Sequence, residues 1–164
     1  MLEEQALVEA VGRKILDEAV GEQDFDAVFE VFARICNTDD ILLFTLKGYT
    51  ESFQFYFDEY SYGIIFENGS CRTVKGTISL PDVTFKIHKP VALAIINGQV
   101  YSAVAHMNGD VDYTGYKDGA IRFIGILESV LDGAAAAARK AAGAAKKEDL
   151  KTGIGKTAGE EGQP

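Results

Sequence analysis

Apolar residues recur every three or four positions over residues 3–20, at Leu7, Val8, Val11, Ile15 and Ala19. That is the spacing of one helix face, and Gly21 stands where such a helix would stop. A second helix is predicted after Asp24, a residue able to cap it. It presents Phe25, Val28, Phe29, Phe32 and Ile35 on one side before Asn37, Asp39 and Asp40 break the pattern. The period then falls from about 3.6 to 2. Residues 41–46, 51–58 and 60–67 alternate, separated by the turn chemistry of KGYT, DE and ENGS, which predicts an antiparallel meander. In the middle strand Phe53, Phe55 and Phe57 share one face, while Ser52, Gln54, Tyr56 and Asp58 share the other. Residues 82–88 alternate in the same way, with Val83, Phe85 and Ile87 on one side, and should join the same sheet.

Beyond that strand, Pro90 can open a short helix that ends at Asn97-Gly98, and a second short helix ends at Asn108-Gly109. DVDYTG follows as a short strand with Val111 and Tyr113 on one face. A long helix capped by Asp118 then carries Ile121, Phe123, Ile124, Leu127 and Leu131. From Gly133 onward large apolar residues almost vanish, so a body of residues 1–132 is expected to be followed by a tail, 133–164, that is partly helical or disordered.

Charge narrows the function classes. The chain has 25 acidic and 16 basic residues, a net charge of -9, which disfavours general binding to phosphate backbones. Residues 139–156 run against this balance with six cations and two anions, which suits docking on an acidic protein surface. No apolar run approaches the ~20 residues of a bilayer span, and the acidic N-terminus lacks the basic start of a secretory signal. Cys36 and Cys71 lie among apolar neighbours and read as reduced, structural thiols, so a cytoplasmic protein is expected.

The candidate chemistry is thin. GIGKT ends like a phosphate-binding loop, but the Gly needed five positions before Gly155 is Leu150, and no buried strand precedes it. Asp110 and Asp112 resemble the opening of a calcium loop whose twelfth position, Ile121, supplies no carboxylate. His88, His106, Cys36 and Cys71 show no metal-ligand spacing, and no nucleophile elbow occurs. An enzyme reading would rest on His106 or Asp112 as an unsupported general base. No metal and no cofactor are expected. The strongest signal is a surplus of aromatic side chains, which fits either a solid core or an apolar pocket.

Residues 82–131, in the run PDVTFKIHKPVALAIINGQVYSAVAHMNGDVDYTGYKDGAIRFIGIL and the four residues after it, give the pattern its clearest form. Asp82 and Thr84 sit on a strand, Gly98 closes a short helix, Gly109 and Gly115 bound a strand, and residues 120–131 form a final amphipathic helix. In these features, and in element order before them, the chain resembles the sterol carrier protein type 2 family of lipid-binding domains. The resemblance implies an α+β fold: a five-stranded, mostly antiparallel sheet, helices on one face, and an apolar tunnel between them. It implies no catalysis and an apolar ligand such as a sterol, fatty acyl or isoprenoid-like lipid. The inward positions that would line the tunnel are Phe53, Phe55, Phe57, Phe66, Phe85, Ile87, Ile96, Val104, Met107, Ile124 and Leu127. Asp110-Val-Asp112 departs from the basic strand common in the family, which argues against an anionic head group at that edge. The closing Gly162-Gln163-Pro164 carries no peroxisomal signal. An accessory or scaffold subunit of a lipid- or quinone-related enzyme complex, docking through the basic tail, is the alternative. Oligomeric state is not legible from these residues.

Overall fold

A computed structural model describes residues 2–160, with side chains described as far as Gly153. Helix α1 (Leu2–Leu16) is followed by a 3-10 turn (Glu22–Asp24) and two helices, α2 (Phe25–Thr38) and α3 (Asp40–Thr45). Strands β1 (Glu51–Phe57), β2 (Tyr60–Glu67), β3 (Ser70–Lys75) and β4 (Val83–Ile87) come next. Helices α4 (Lys89–Ile96) and α5 (Ser102–Met107), strand β5 (Val111–Gly115) and helix α6 (Lys117–Glu160) complete the chain. The class is α+β. The sheet has five strands in the order β3-β2-β1-β4-β5, with β1–β4 parallel and the other three pairings antiparallel. No helix among the described residues is long and apolar enough to cross a membrane.

Residues 41–45 are helical and Leu46 caps them, where a strand over 41–46 is expected. The Asp39 carboxylate accepts the Leu42 N–H at 2.9 Å and so caps α3 at its start. The strand that takes the vacant place is β3, which is reached from β2 through Asn68 and Gly69, both at positive φ, as a tight hairpin turn requires. Helix α1 stops at Leu16, four residues before the expected end, because Glu18 adopts a left-handed φ of 52° and Ala19 N–H bonds back to Lys14 O at 2.8 Å. Asp24 does not cap α2 through its side chain; its carboxylate holds Lys14 Nζ at 2.7 Å and Gly21 N–H at 2.9 Å.

Alternation along β1 works as expected on the helix side, where Phe53, Phe55 and Phe57 are buried. On the opposite face Gln54 is also buried, although a solvated position is expected there. The segment after β3 folds back over it: Gln54 Nε2 donates to Gly76 O and Tyr62 O, each at 3.1 Å, and Ile78 N–H donates to Gln54 Oε1 at 2.8 Å. The amide thus finds partners in a buried setting where leaving it unpaired would cost about 1–3 kcal/mol.

Paired asparagines tie helices to distant backbone. Asn97, expected only as a helix stop, exchanges two bonds with Val20 backbone at 2.9 and 3.0 Å, joining the ends of α1 and α4. Asn37 does the same with Cys71 backbone at 2.7 and 2.9 Å, joining α2 to β3. Cys36 and Cys71 are buried free thiols in contact, and their hydrogen bond together with burial pushes the Cys36 thiol far above its ordinary range.

The largest departure lies at residue 132. The predicted end of the body falls inside α6, which runs on to Glu160, about 66 Å of helix in all. Ala134, Ala135 and Ala138 are buried where α6 lies against α1. A Cβ on Gly12 would strike the Ala134 carbonyl and touch Ala138, so the contact depends on residues small enough for close backbone approach. Disorder is expected from residue 152 onward, but the helix continues to Glu160, and the last four residues of that segment, 161–164, lie outside the described residues.

Candidate ligand site

The sheet register builds the floor of the site. Tyr62, Phe55, Phe85 and Tyr113 stand opposite one another across β2, β1, β4 and β5, so four aromatic side chains form one rung on the helix-covered face. Phe55 and Phe85 stack at 5.1 Å with an interplanar angle of 8°, and Phe29 of α2 stacks on Tyr62 at 4.3 Å. Phe123 of α6 reaches down onto Phe53 and Phe55, each at 4.9 Å, and onto Phe85 at 5.6 Å. Rings of this size and rigidity do not fill space completely when three helices roof a twisted sheet.

The result is a cavity of about 190 Å³ between sheet and helices. Its lining is almost wholly apolar: Phe55, Phe57, Ile64, Phe85, Ile87 and Val111 below, and Val28, Phe29, Phe32, Ala92, Ile95, Ile96, Ala120, Phe123, Ile124 and Leu127 above. Polar groups enter only at Ser102, His106, Tyr113 and Lys117. Ile121 lines the cavity yet is 57 % exposed, and with exposed His106 and Lys117 it marks the mouth. His106 lies against Tyr113 at 5.2 Å.

Of the eleven sequence candidates, Phe55, Phe57, Phe85, Ile87, Ile96, Ile124 and Leu127 line this cavity. Phe53 and Phe66 do not. They pack against each other at 6.2 Å, and Tyr49 closes on Phe66 at 5.1 Å, so that end of the sheet is solid. Val104 and Met107 lie outside as well, Met107 being 83 % exposed, because the single short helix α5 turns Ser102 and Ala105 inward instead. Asp112, the conceivable base, is excluded by strand alternation, since Val111 and Tyr113 face the cavity and Asp112 faces away. Phe29, Phe32, Phe123 and Tyr113 could have been chosen from the apolar faces already evident in the sequence. Ser102 carried no such signal.

Two polar networks brace the site. Buried Glu51 accepts the Tyr49 hydroxyl at 2.6 Å and Arg122 at 3.0 Å, fastening α6 to β1; burial and the adjacent carboxylate push the Tyr49 hydroxyl well above its ordinary value. Gly119 is required here, because a Cβ would run into the Glu51 carboxylate. At the other end Asp26 receives the Tyr62 hydroxyl and, at 3.0 Å, Lys75 Nζ, and these bonds hold its carboxyl below the usual range.

No family model matches the sequence, and no curated protein matches it. Solved structures do match in fold. Palmitated SCP2L2 from Aedes aegypti superposes with a TM-score of 0.52 at 15 % identity, covering 63 % of this chain and 93 % of that one. A crystal structure of sterol carrier protein 2 gives 0.52 at 13 % identity, covering 66 % and 94 %. The chain has the sterol carrier protein 2 fold. The inverting sec-alkylsulfatase Pisa1 from Pseudomonas sp. also matches, with a TM-score of 0.53 at 20 % identity, but the chain spans 16 % of that enzyme's length.

Proposed function

We propose that this chain is a non-catalytic carrier that holds an apolar small molecule, such as a fatty acyl, sterol or isoprenoid-like lipid, beneath α6. The observation that carries the reading is the apolar cavity of about 190 Å³ left open inside an otherwise close-packed aromatic layer. Eight buried methylenes would contribute roughly 6 kcal/mol before association costs, against the ~8 kcal/mol of micromolar binding, so a ligand with a longer buried chain is expected. The palmitated structural neighbour supports an acyl chain as one occupant. Buried free thiols fit a reducing, cytoplasmic setting.

The test is purification without detergent, native mass spectrometry and identification of whatever organic solvent extracts. A single lipid class at near-stoichiometric yield is expected. Ile124→Trp should fill the cavity from its half-buried roof and weaken a fluorescent acyl probe about tenfold or more, with the fold retained by circular dichroism. A protein that is empty and ignores the probe would sink the carrier reading. The scaffold alternative would then lead, favoured by the exposed cations Lys140, Lys146, Lys147 and Lys151 along the outer part of α6.

A further inference from the structure

A second chamber of about 320 Å³ lies between the end of α1, the α4–α5 connection and α6. It shares Ile95, Ile96, Ser102 and Leu127 with the apolar cavity, so those four residues stand at the junction of the two. The outer wall is polar, with Glu18, Glu128 and Asp132 against a single cation, Arg139.

Ser102 is 8 % exposed, and its Oγ has no hydrogen-bond partner. Among the described residues only one other buried side-chain polar atom is in this position, Nε of Arg34, whose guanidinium already binds Glu4 and Glu30 at 3.0 and 2.9 Å. A buried hydroxyl without a partner costs about as much as a lost hydrogen bond, so such a group calls for an explanation. Here the residue lines both chambers, on a short helix whose only other buried residue is Ala105.

We propose that Ser102 recognises an uncharged oxygen of an amphipathic lipid whose hydrocarbon fills the apolar cavity and whose polar end passes into the second chamber. The proposal rests on the carrier reading and sharpens it. A serine hydroxyl can donate to a carbonyl or an alcohol and can accept from an alcohol. Three carboxylates facing one guanidinium make the second chamber unfavourable for a carboxylate head. A long-chain alcohol or ester therefore fits this end better than the free acid of the same chain.

The experiment uses the full chain and three probes. Diphenylhexatriene, a fluorescent hydrocarbon without oxygen, is titrated into the wild type and Ser102→Ala, then displaced by 1-dodecanol or by laurate at neutral pH. Diphenylhexatriene should bind both proteins equally within about twofold. 1-Dodecanol should bind Ser102→Ala about three- to tenfold more weakly than the wild type, the worth of one neutral hydrogen bond. Laurate should be weaker than 1-dodecanol in the wild type and indifferent to the substitution. Equal 1-dodecanol affinities, with diphenylhexatriene bound to both proteins, would overturn the role of Ser102 and leave the carrier intact. Laurate losing as much as 1-dodecanol would overturn the preference for an uncharged oxygen. Failure of the wild type to bind diphenylhexatriene would remove the carrier reading itself.

Discussion

The two stretches of α6 are buried against different partners with opposite results. Over residues 117–132 the helix sets Phe123, Ile124 and Leu127 onto the aromatic rung and leaves a cavity. Over residues 133–141 it sets Ala134 and Ala138 onto α1 at Gly12 and closes to backbone contact. Rigid rings on a twisted sheet can meet only at certain angles, and space remains between them. Small residues impose no such spacing, so two helices can approach until their backbones touch. The apolar cavity is therefore lined mainly by large side chains, and the close approach of α1 and α6 at Gly12 is made by small ones.

Removing the largest side chain of the hollow stretch should have the greatest effect. Phe123 is buried and meets the rings of Phe32, Phe53, Phe55 and Phe85. Phe123→Ala should destabilise by about 3–5 kcal/mol, read from urea denaturation, because the lost burial is joined by an enlarged cavity. The added space should make the variant more ligand-responsive: saturating diphenylhexatriene should raise its melting temperature more than that of the wild type. Equal responses would mean that Phe123 does not bound the space a ligand uses.

The small-residue stretch should break differently. Gly12→Ala places a methyl against the Ala134 carbonyl, where backbone must move, and should cost about 1–3 kcal/mol. Amide exchange should accelerate over residues 133–141 of α6 and along α1, while probe affinity stays within about twofold. A parallel loss of probe binding would show that the two stretches are mechanically coupled and do not act separately.

This difference also explains what could be read from the sequence. Phe55, Phe57, Phe85 and Ile87 announce themselves through strand alternation, and Ile124 and Leu127 through helical spacing; all six reach the cavity. Alternation says which face a residue occupies and nothing about position along the strand, so Phe53 and Phe66 could not be told from their hollow-side neighbours. Period was misread at 41–46, where apolar content suits either element and the decisive signal was the cap at Asp39. Residues 133–141 were read as tail because hydrophobic patterning registers large side chains, whereas the contact with Gly12 needs small ones. Ser102 and Gln54 were invisible for a further reason: their burial is imposed by segments distant in sequence.

Asp26 is linked to Tyr62 and Lys75 at the hollow side, where Tyr62 stacks on Phe29, and no such carboxylate link joins Gly12 to the alanines. Its carboxyl is held below the ordinary value, first by the Tyr62 hydrogen bond and then by Lys75. A depressed folded-state pKa contributes stability that is fully present above the unfolded value near 3.8 and is lost as pH falls through the folded value. Asp26→Asn should therefore destabilise slightly at about pH 6, by tenths of a kcal/mol for so exposed a pair, read from urea denaturation. The gap between wild type and variant should shrink as pH falls below 3.8, whereas the deficit of Gly12→Ala, which has no titrating partner, should persist across the same range. A deficit in Asp26→Asn that is independent of pH would assign the loss to geometry rather than charge, and would leave the two stretches of α6 distinguished by packing alone.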